Sequence, residues 1–468
     1  MSRDMYQSPW SSRYASPEML KIFSDQNKYG LWRRLWVILA EAQHELGLPV
    51  NTRQISQLRA HVDDIDFDAV RQHEERVKHD VMAHVHAYGD QCPLARRIIH
   101  LGATSCYVTD NADVIQQRQA LTLIQGKLVQ IILALSKLAE TYAATPCLAY
   151  THFQPAQETT VGKRICLWLQ DVLVDAQDLS YRIANLRLLG SKGAVGTQAS
   201  FSILFDGDCS KVKALDAAIA SKLGFEGIYT ITGQTYPRKQ DALIAHTIAG
   251  IGVSAHKFGT DLRLLASRGE FLEAFGDKQV GSSAMPYKRN PVLSERLCGF
   301  ARYLITMAQN CDLTAALQWL ERSLDDSANR RLVIPELFLC ADAICNTWLH
   351  IILGLKINLP AIDELIKKHA PMLITETLLM HGVRKGGDRQ QLHERLRQYS
   401  VESGPEFAKS IAADDAFGLD QQQVTDLISN VAEIGCAELQ VHEFLKREVE
   451  PFLSHFPNIT IQPPSVHV

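Results

Sequence analysis

The chain has 468 residues, 46% hydrophobic and 21% charged, the balance of an ordinary globular protein with room for about three domains. Its formal charge of −4 offers no global attraction to nucleic acid or to an acidic membrane, so any anion site has to be local. The opening MSRDMYQSPWSSRY lacks the apolar run of a secretory leader. Stretches such as LVQIILAL, flanked by Lys127 and Lys137, fall short of the ~20 apolar residues of a membrane span. The ten cysteines include no CxxC pair, which suits free thiols in a reducing, cytoplasmic setting. Such a setting leaves the sequon Asn458-Ile-Thr460 unused.

Residues 1–110 form a mixed N-terminal region with short helical patterns such as Leu31 to Leu46. His79, His84 and His86 lie here. Their spacing matches no zinc template, and an acid–base or binding role suits one of them better than a metal.

Residues 111–357 carry long apolar seams at alternating steps of three and four. They are Leu121, Ile124, Leu128, Ile131, Leu135, Leu138; then Val161, Ile165, Trp168, Val172, Ala176, Leu179, Ile183, Leu186. A third runs Ile244, Ile248, Ile251, Ala255, Phe258, Leu262, Leu265, and a weaker one Leu297, Phe300, Leu304, Met307, Cys311. Seams of this length predict a bundle of long helices, of the kind that continues across subunit interfaces. Gly250-x-Gly252-x-x-Ala255 imitates a dinucleotide fingerprint, but it lies inside the third seam, where small residues serve close helix packing.

Chemistry is expected where the seams are interrupted, at 79–111, 150–160, 190–201 and 281–291. His152, in YTHFQPAQ, reads as a proton donor in a polar loop, with Pro155 setting up the next helix. In GSSAMPYKRNP, Gly281 offers a hinge, Asn290 and Pro291 a helix start, and Lys288 a mobile cation. The helix end and Lys288 together describe a flap that closes on an anion. In ERSLDDSANRR, Asp325 or Asp326 is expected to cap a helix, placing Ser327 and Arg331 on one face with Arg322 upstream, an arrangement suited to phosphate. Pro335 predicts a kink or a new helix soon after. Residues 358–468 return to shorter helices and a Pro-containing tail.

Three of these loops resemble the signature regions of the fumarase/aspartase lyase superfamily. GSSAMPYKRNP is similar to its Gly-Ser-Ser-x-Met-Pro-x-Lys-x-Asn-Pro loop, and GATSCYVTDN and THFQPAQ to the other two, in the same order. SSRYASPEM, KHDVMAHVH, ITGQTY and RSLDDSANRR resemble the branch that acts on succinylated purine nucleotides. The likeness covers about residues 10 to 400. It implies an all-α, three-domain fold whose central bundle forms a tetrameric core, with each site built from three chains. It also implies β-elimination of fumarate from adenylosuccinate and from SAICAR, without metal or organic cofactor. Ser282 matches the base on the mobile loop and His152 the general acid. Lys288 and Asn290, with Thr104 and Ser105, match the residues that hold the succinyl carboxylates. His79 matches a supporting histidine flanked by Lys78 and Asp80. Arg13 and Tyr14 match one phosphate-binding pair, Arg322, Ser327 and Arg331 the other phosphate ligands, and Gln234 and Arg296 further substrate contacts. Asp388 departs from the serine common there and receives no role.

Rival readings are weighed on the same residues. Argininosuccinate or fumarate chemistry has no use for Arg13, Arg322, Ser327 and Arg331 as phosphate ligands. A non-catalytic relative has no need to keep Ser282, His152 and Lys288, and a nucleotide-binding regulator has no need of the elimination loop.

Overall fold

Each seam read from the sequence becomes a helix in the computed structural model, which describes residues 4–276, 280–402, 406–429 and 434–466. In chain order the elements that place the site are α1 (Asp25–Glu45), α2 (Asp80–Gln91), α3 (Ser105–Thr141), the hairpin β1 (Pro146–Thr151) and β2 (Gln154–Thr160), α4 (Val161–Ala184), α5 (Lys239–Ser267), α6 (Val292–Ala316) and α7 (Asp325–Gly354). Helices α3 to α7 form the bundle, with α5 against α6, α3 against α4, and α7 against α3 and α6. The architecture is all-α, with β1–β2 and the two-residue pair Phe271–Leu272 and Lys356–Ile357 as its described sheets.

Leu121, Ile124, Leu128, Ile131 and Leu135 are fully buried, and every seam residue of α5 from Ile244 to Leu265 is buried. Leu186 is buried but lies beyond the end of α4. The small residues of α5 have the packing role expected of them. A Cβ on Gly252 would touch Leu304, and one on Gly259 would come within 2.8 Å of Cys298 Sγ on α6.

Two expectations are corrected. No new helix starts after Pro335, because α7 runs on through it to Gly354. From Leu337 to Ile352 it gave no seam because it is buried nearly all round, and a helix covered on every side carries no stripe. Helices α3 and α7 are also long and apolar enough to cross a membrane by length and composition. In α7, 72% of the apolar window is already buried within the chain, which identifies it as a core helix. All ten cysteines are free thiols. Beyond α7, Ile374, Leu378, Leu392, Leu396, Phe407, Ile411, Phe417 and Val424 form a small core of their own.

Candidate active site

The signature loop joins the end of α5 to α6 and folds on itself. Lys288 N–H donates to Met285 O at 3.0 Å, and Asn290 Nδ2 donates to Gly281 O at 2.9 Å. Ser282 Oγ accepts from the backbone N–H groups of Ala284 (3.3 Å) and Met285 (3.1 Å). A serine hydroxyl is a poor base in water, and two amides aimed at its oxygen lower the cost of charge there. The exposed Lys288 ammonium makes no hydrogen bond or ion pair among the described residues. Gly281, read in the sequence as a hinge, also has a packing reason to be glycine, since a Cβ there would lie 2.2 Å from Lys288 O and 3.1 Å from the Phe275 ring. Gly281→Ala therefore opens the loop, and turnover is expected to fall about tenfold or more while the melting temperature of the bundle stays put. Steady-state kinetics beside a thermal melt check this.

The start of α6 also differs from expectation. Pro291 occupies the cap position, and Asn290 is used to close the loop instead. Glu273 supplies the cap, accepting from Leu293 N (3.1 Å), Ser294 N (2.7 Å) and Ser294 Oγ (2.5 Å). A carboxylate on these amides already answers the helix dipole, so the end of α6 is not a vacant anion site. The attraction for an anion has to come from side-chain cations.

His152 stands at the tip of the β1–β2 hairpin, where the sequence suggested an irregular loop, and Pro155 lies in β2 rather than at a helix start. Helix α4 begins six residues later, capped by the Thr160 hydroxyl. His152 and Phe153 are the two turn residues, with φ of +53° and +58°. That turn favours Asn-Gly, and each side chain held there costs about 1–3 kcal/mol. Arg268, just past α5, holds the tip. Its guanidinium stacks on Tyr150 (4.3 Å) and Phe153 (4.6 Å), and its Nη2 donates to Phe153 O at 3.4 Å. Below it the fully buried Glu270 accepts from Tyr150 Oη (2.6 Å) and pairs with Arg164 (3.3 Å).

A second group gathers at the opposite end of the bundle. Lys78, with φ of +53°, ends one helix, and His79 caps α2, its Nδ1 accepting from Met82 N at 3.4 Å. Its Nε2 lies 3.4 Å from Ser105 Oγ at the start of α3. Thr104 is the cap residue of α3, and its hydroxyl makes no capping bond. Asp80 accepts from Arg331 Nη2 at 2.7 Å. Burial raises this carboxyl, and Arg331 with the Val81 amide more than reverses the effect, holding it below its usual range. Gln234 is fixed by Ala194 O (2.9 Å), by Glu321 O at its own N–H (2.9 Å), and by the Cys106 thiol (3.5 Å). The interruption at 190–201 has its use here, because Gly196 sits where a Cβ would be 1.9 Å from Thr232 O. Neither Asp325 nor Asp326 caps α7. The helix starts at Asp325, and Ser327 lies in its first turn as expected.

A third group surrounds Tyr14, in the π-helical turn Trp10–Tyr14. The guanidinium carbons of Arg13 and Arg296 lie 5.9 and 5.6 Å from the Tyr14 ring centre, and the ring packs on Phe300 of α6 at 4.8 Å. Burial lowers the pKa of Arg296, and the charge of Arg13 lowers it further.

These groups do not form one site within one chain. His79, Ser105, Gln234, Arg322, Ser327 and Arg331 lie where α3, α5 and α7 begin, whereas His152 and Ser282 lie where α5 ends and α6 begins. At 1.5 Å per residue, the 29 residues of α5 separate the two ends by about 43 Å.

Sequence reasoning missed the groups that hold the site residues in place: Glu273 beneath the loop, Arg268 on the hairpin, and the buried chain formed by Asp326, Arg238 and Asp110. Apart from Arg322, four residues from Asp326, their partners lie 20 to 128 residues away, and no local spacing announces those.

Similarity to known proteins follows the same outline. A family model described as Lyase matches residues 13–305. The chain is 44% identical over 463 residues to the adenylosuccinate lyase of Schistosoma mansoni, covering 96% of both chains. It is also 44% identical over 465 residues to the adenylosuccinate lyase of Saccharomyces cerevisiae, covering 97% of this chain and 96% of the other. Among solved structures, a fumarate lyase from Mesorhizobium sp. BNC1 superimposes with a TM-score of 0.82 at 21% identity, over 95% of this chain and all of that one, a likeness of fold. Identity at the level of the first two, from end to end, reflects common descent, and this chain belongs to the lyase family, in the group of its adenylosuccinate lyases.

Proposed function

We propose that the protein is a homotetrameric adenylosuccinate lyase that releases fumarate from adenylosuccinate, leaving AMP, and from SAICAR, leaving AICAR. The observation that carries this reading is the near full-length identity to proteins of that name. The local geometry agrees with it.

In the reaction Ser282 Oγ, as alkoxide, takes a proton from the succinyl carbon beside a carboxylate. The amides of Ala284 and Met285 stabilise the charge on that oxygen before the transfer. Charge then builds on the substrate carboxylate, where Lys288 meets it, with Asn290, Thr104 and Ser105 completing the cradle. His152 delivers a proton to the departing nitrogen as the C–N bond breaks, a contribution of roughly 10²–10⁴ in rate. His79 supports substrate and acid. The base ends as a hydroxyl and the acid as a neutral imidazole, so one proton has been exchanged for another and no cofactor is required. Lys78, Asp80, Gln234 and Arg296 contact the substrate, and Arg13, Tyr14, Arg322, Ser327 and Arg331 bind its phosphate.

In this reading neighbouring chains complete each site, three chains per site in a tetramer, and the separation of about 43 Å within one chain supports it. Exposed apolar residues support such an assembly. Leu167, Val174 and Tyr181 recur every seven residues on α4, and Leu243, Val253 and Leu264 line an outer face of α5. The free thiols favour a cytoplasmic enzyme. The test is fumarate release by the purified chain from adenylosuccinate, SAICAR and argininosuccinate, with a chelator present. Release from the first two alone is expected. Release from argininosuccinate alone, or from none by a folded tetramer, would replace the reading.

A further inference from the structure

We propose that Asp326 is a positioning residue for Arg322, turning one edge of its guanidinium toward the substrate phosphate, an inference that rests on the functional reading just given. The Asp326 carboxylate is fully buried. One oxygen accepts from Arg322 Nη1 at 2.6 Å and the other from Arg238 Nε at 2.7 Å. Arg238 continues to Asp110 of α3 at 3.0 and 3.3 Å, and Asp110 also accepts from Tyr236 N at 3.0 Å, two residues past Gln234. One chain of buried charges therefore ties together the helix that begins with Ser105, the loop that presents Gln234, and the helix turn that presents Ser327.

Arg322 depends on this chain more than its neighbours do. It lies in the connection between α6 and α7, two residues after Leu320, which is 97% exposed with φ of +46°. A long side chain on such a connection loses rotamer freedom on binding unless something holds it beforehand. Asp326 and the Ser323 carbonyl both take Nη1, while Nε and Nη2 have no partner among the described residues. Those two nitrogens form the edge that grips two oxygens of a phosphate in a fork. Burial raises the Asp326 carboxyl, and Arg238 and Arg322 together more than offset that, so it stays ionised throughout the neutral range. Arg331, by contrast, is half exposed and paired with Asp80, the first residue of α2. Arg322 is thus the phosphate cation whose direction is fixed from inside the fold.

The test compares wild type, Asp326→Asn and Arg322→Lys for kcat and KM with adenylosuccinate, and for inhibition by AMP and by fumarate. Asp326→Asn keeps an oxygen for Arg238 but surrenders the charge that aligns Arg322. About a tenfold rise in KM and in the AMP inhibition constant is expected, with kcat within about threefold and fumarate inhibition within about twofold. Arg322→Lys retains the cation without the fork and is expected to show the same pattern. Because Arg322 is partly exposed, that variant still reads out the proposal if Asp326→Asn does not fold. Equal weakening of AMP and fumarate would make Asp326 a general structural residue, and wild-type behaviour of either folded variant would also overturn the proposal. Inactive wild type would instead overturn the functional reading.

Discussion

Ser282→Ala is expected to lose turnover by about 10³-fold or more while still binding adenylosuccinate. Ser282 is half-buried, but truncation removes a single hydroxyl, and the amides it leaves belong to the exposed residues Ala284 and Met285, where water satisfies them. What disappears is the oxygen proposed to take the proton. The substrate's phosphate and carboxylates keep their own contacts, so binding persists and the chemical step fails. Titration calorimetry with the inactive variant, beside a turnover assay, separates the two. Near-normal turnover would remove Ser282 as the base and move attention to another group on the loop.

The second large effect is a recovery. His79→Gln and His152→Gln, each alone, are expected to lower kcat by about 10²–10⁴. Unfolding the two inactive proteins together and refolding them is expected to restore about a quarter of wild-type activity, because a site drawing the two histidines from different chains finds both intact in one random combination of four. The physical basis is the length of α5 and, in parallel, of α3, whose 37 residues place Ser105 and its neighbour His79 about 55 Å from the β1 end. No rotation of side chains closes such a gap. Activity that stays at the level of the separate variants would mean that both histidines serve one chain's site, and the proposed sharing would fall.

What could be read without coordinates follows from the range of the interactions concerned. A seam such as Ile244 to Leu265 is a short-range pattern imposed by one covered face, and it gave the long helices with little ambiguity. The same logic failed for α7, whose second half is covered all round. It also failed for the hairpin, because YTHFQPAQ has neither strict alternation nor an Asn-Gly turn. Ser282, His152 and Lys288 stood out by loop chemistry and by family resemblance. The groups that hold them stood out by neither. Glu273 overrode the cap expected from Asn290 and Pro291 across 20 residues, and Asp326 meets Arg238 across 88. Such pairings are decided by tertiary packing alone.

The hairpin tip carries a consequence for how this protein can change. His152 and Phe153 both occupy backbone conformations better suited to Asn and Gly, at a combined cost of about 2–6 kcal/mol. The Arg268 stack and the buried Glu270 pair oppose that cost without removing it. Drift toward a more robust fold would favour replacing these residues, and selection for activity would resist it at His152. Stability and chemistry therefore compete directly at this tip, and mutations elsewhere in the bundle that add thermal stability widen the margin within which the turn can be kept.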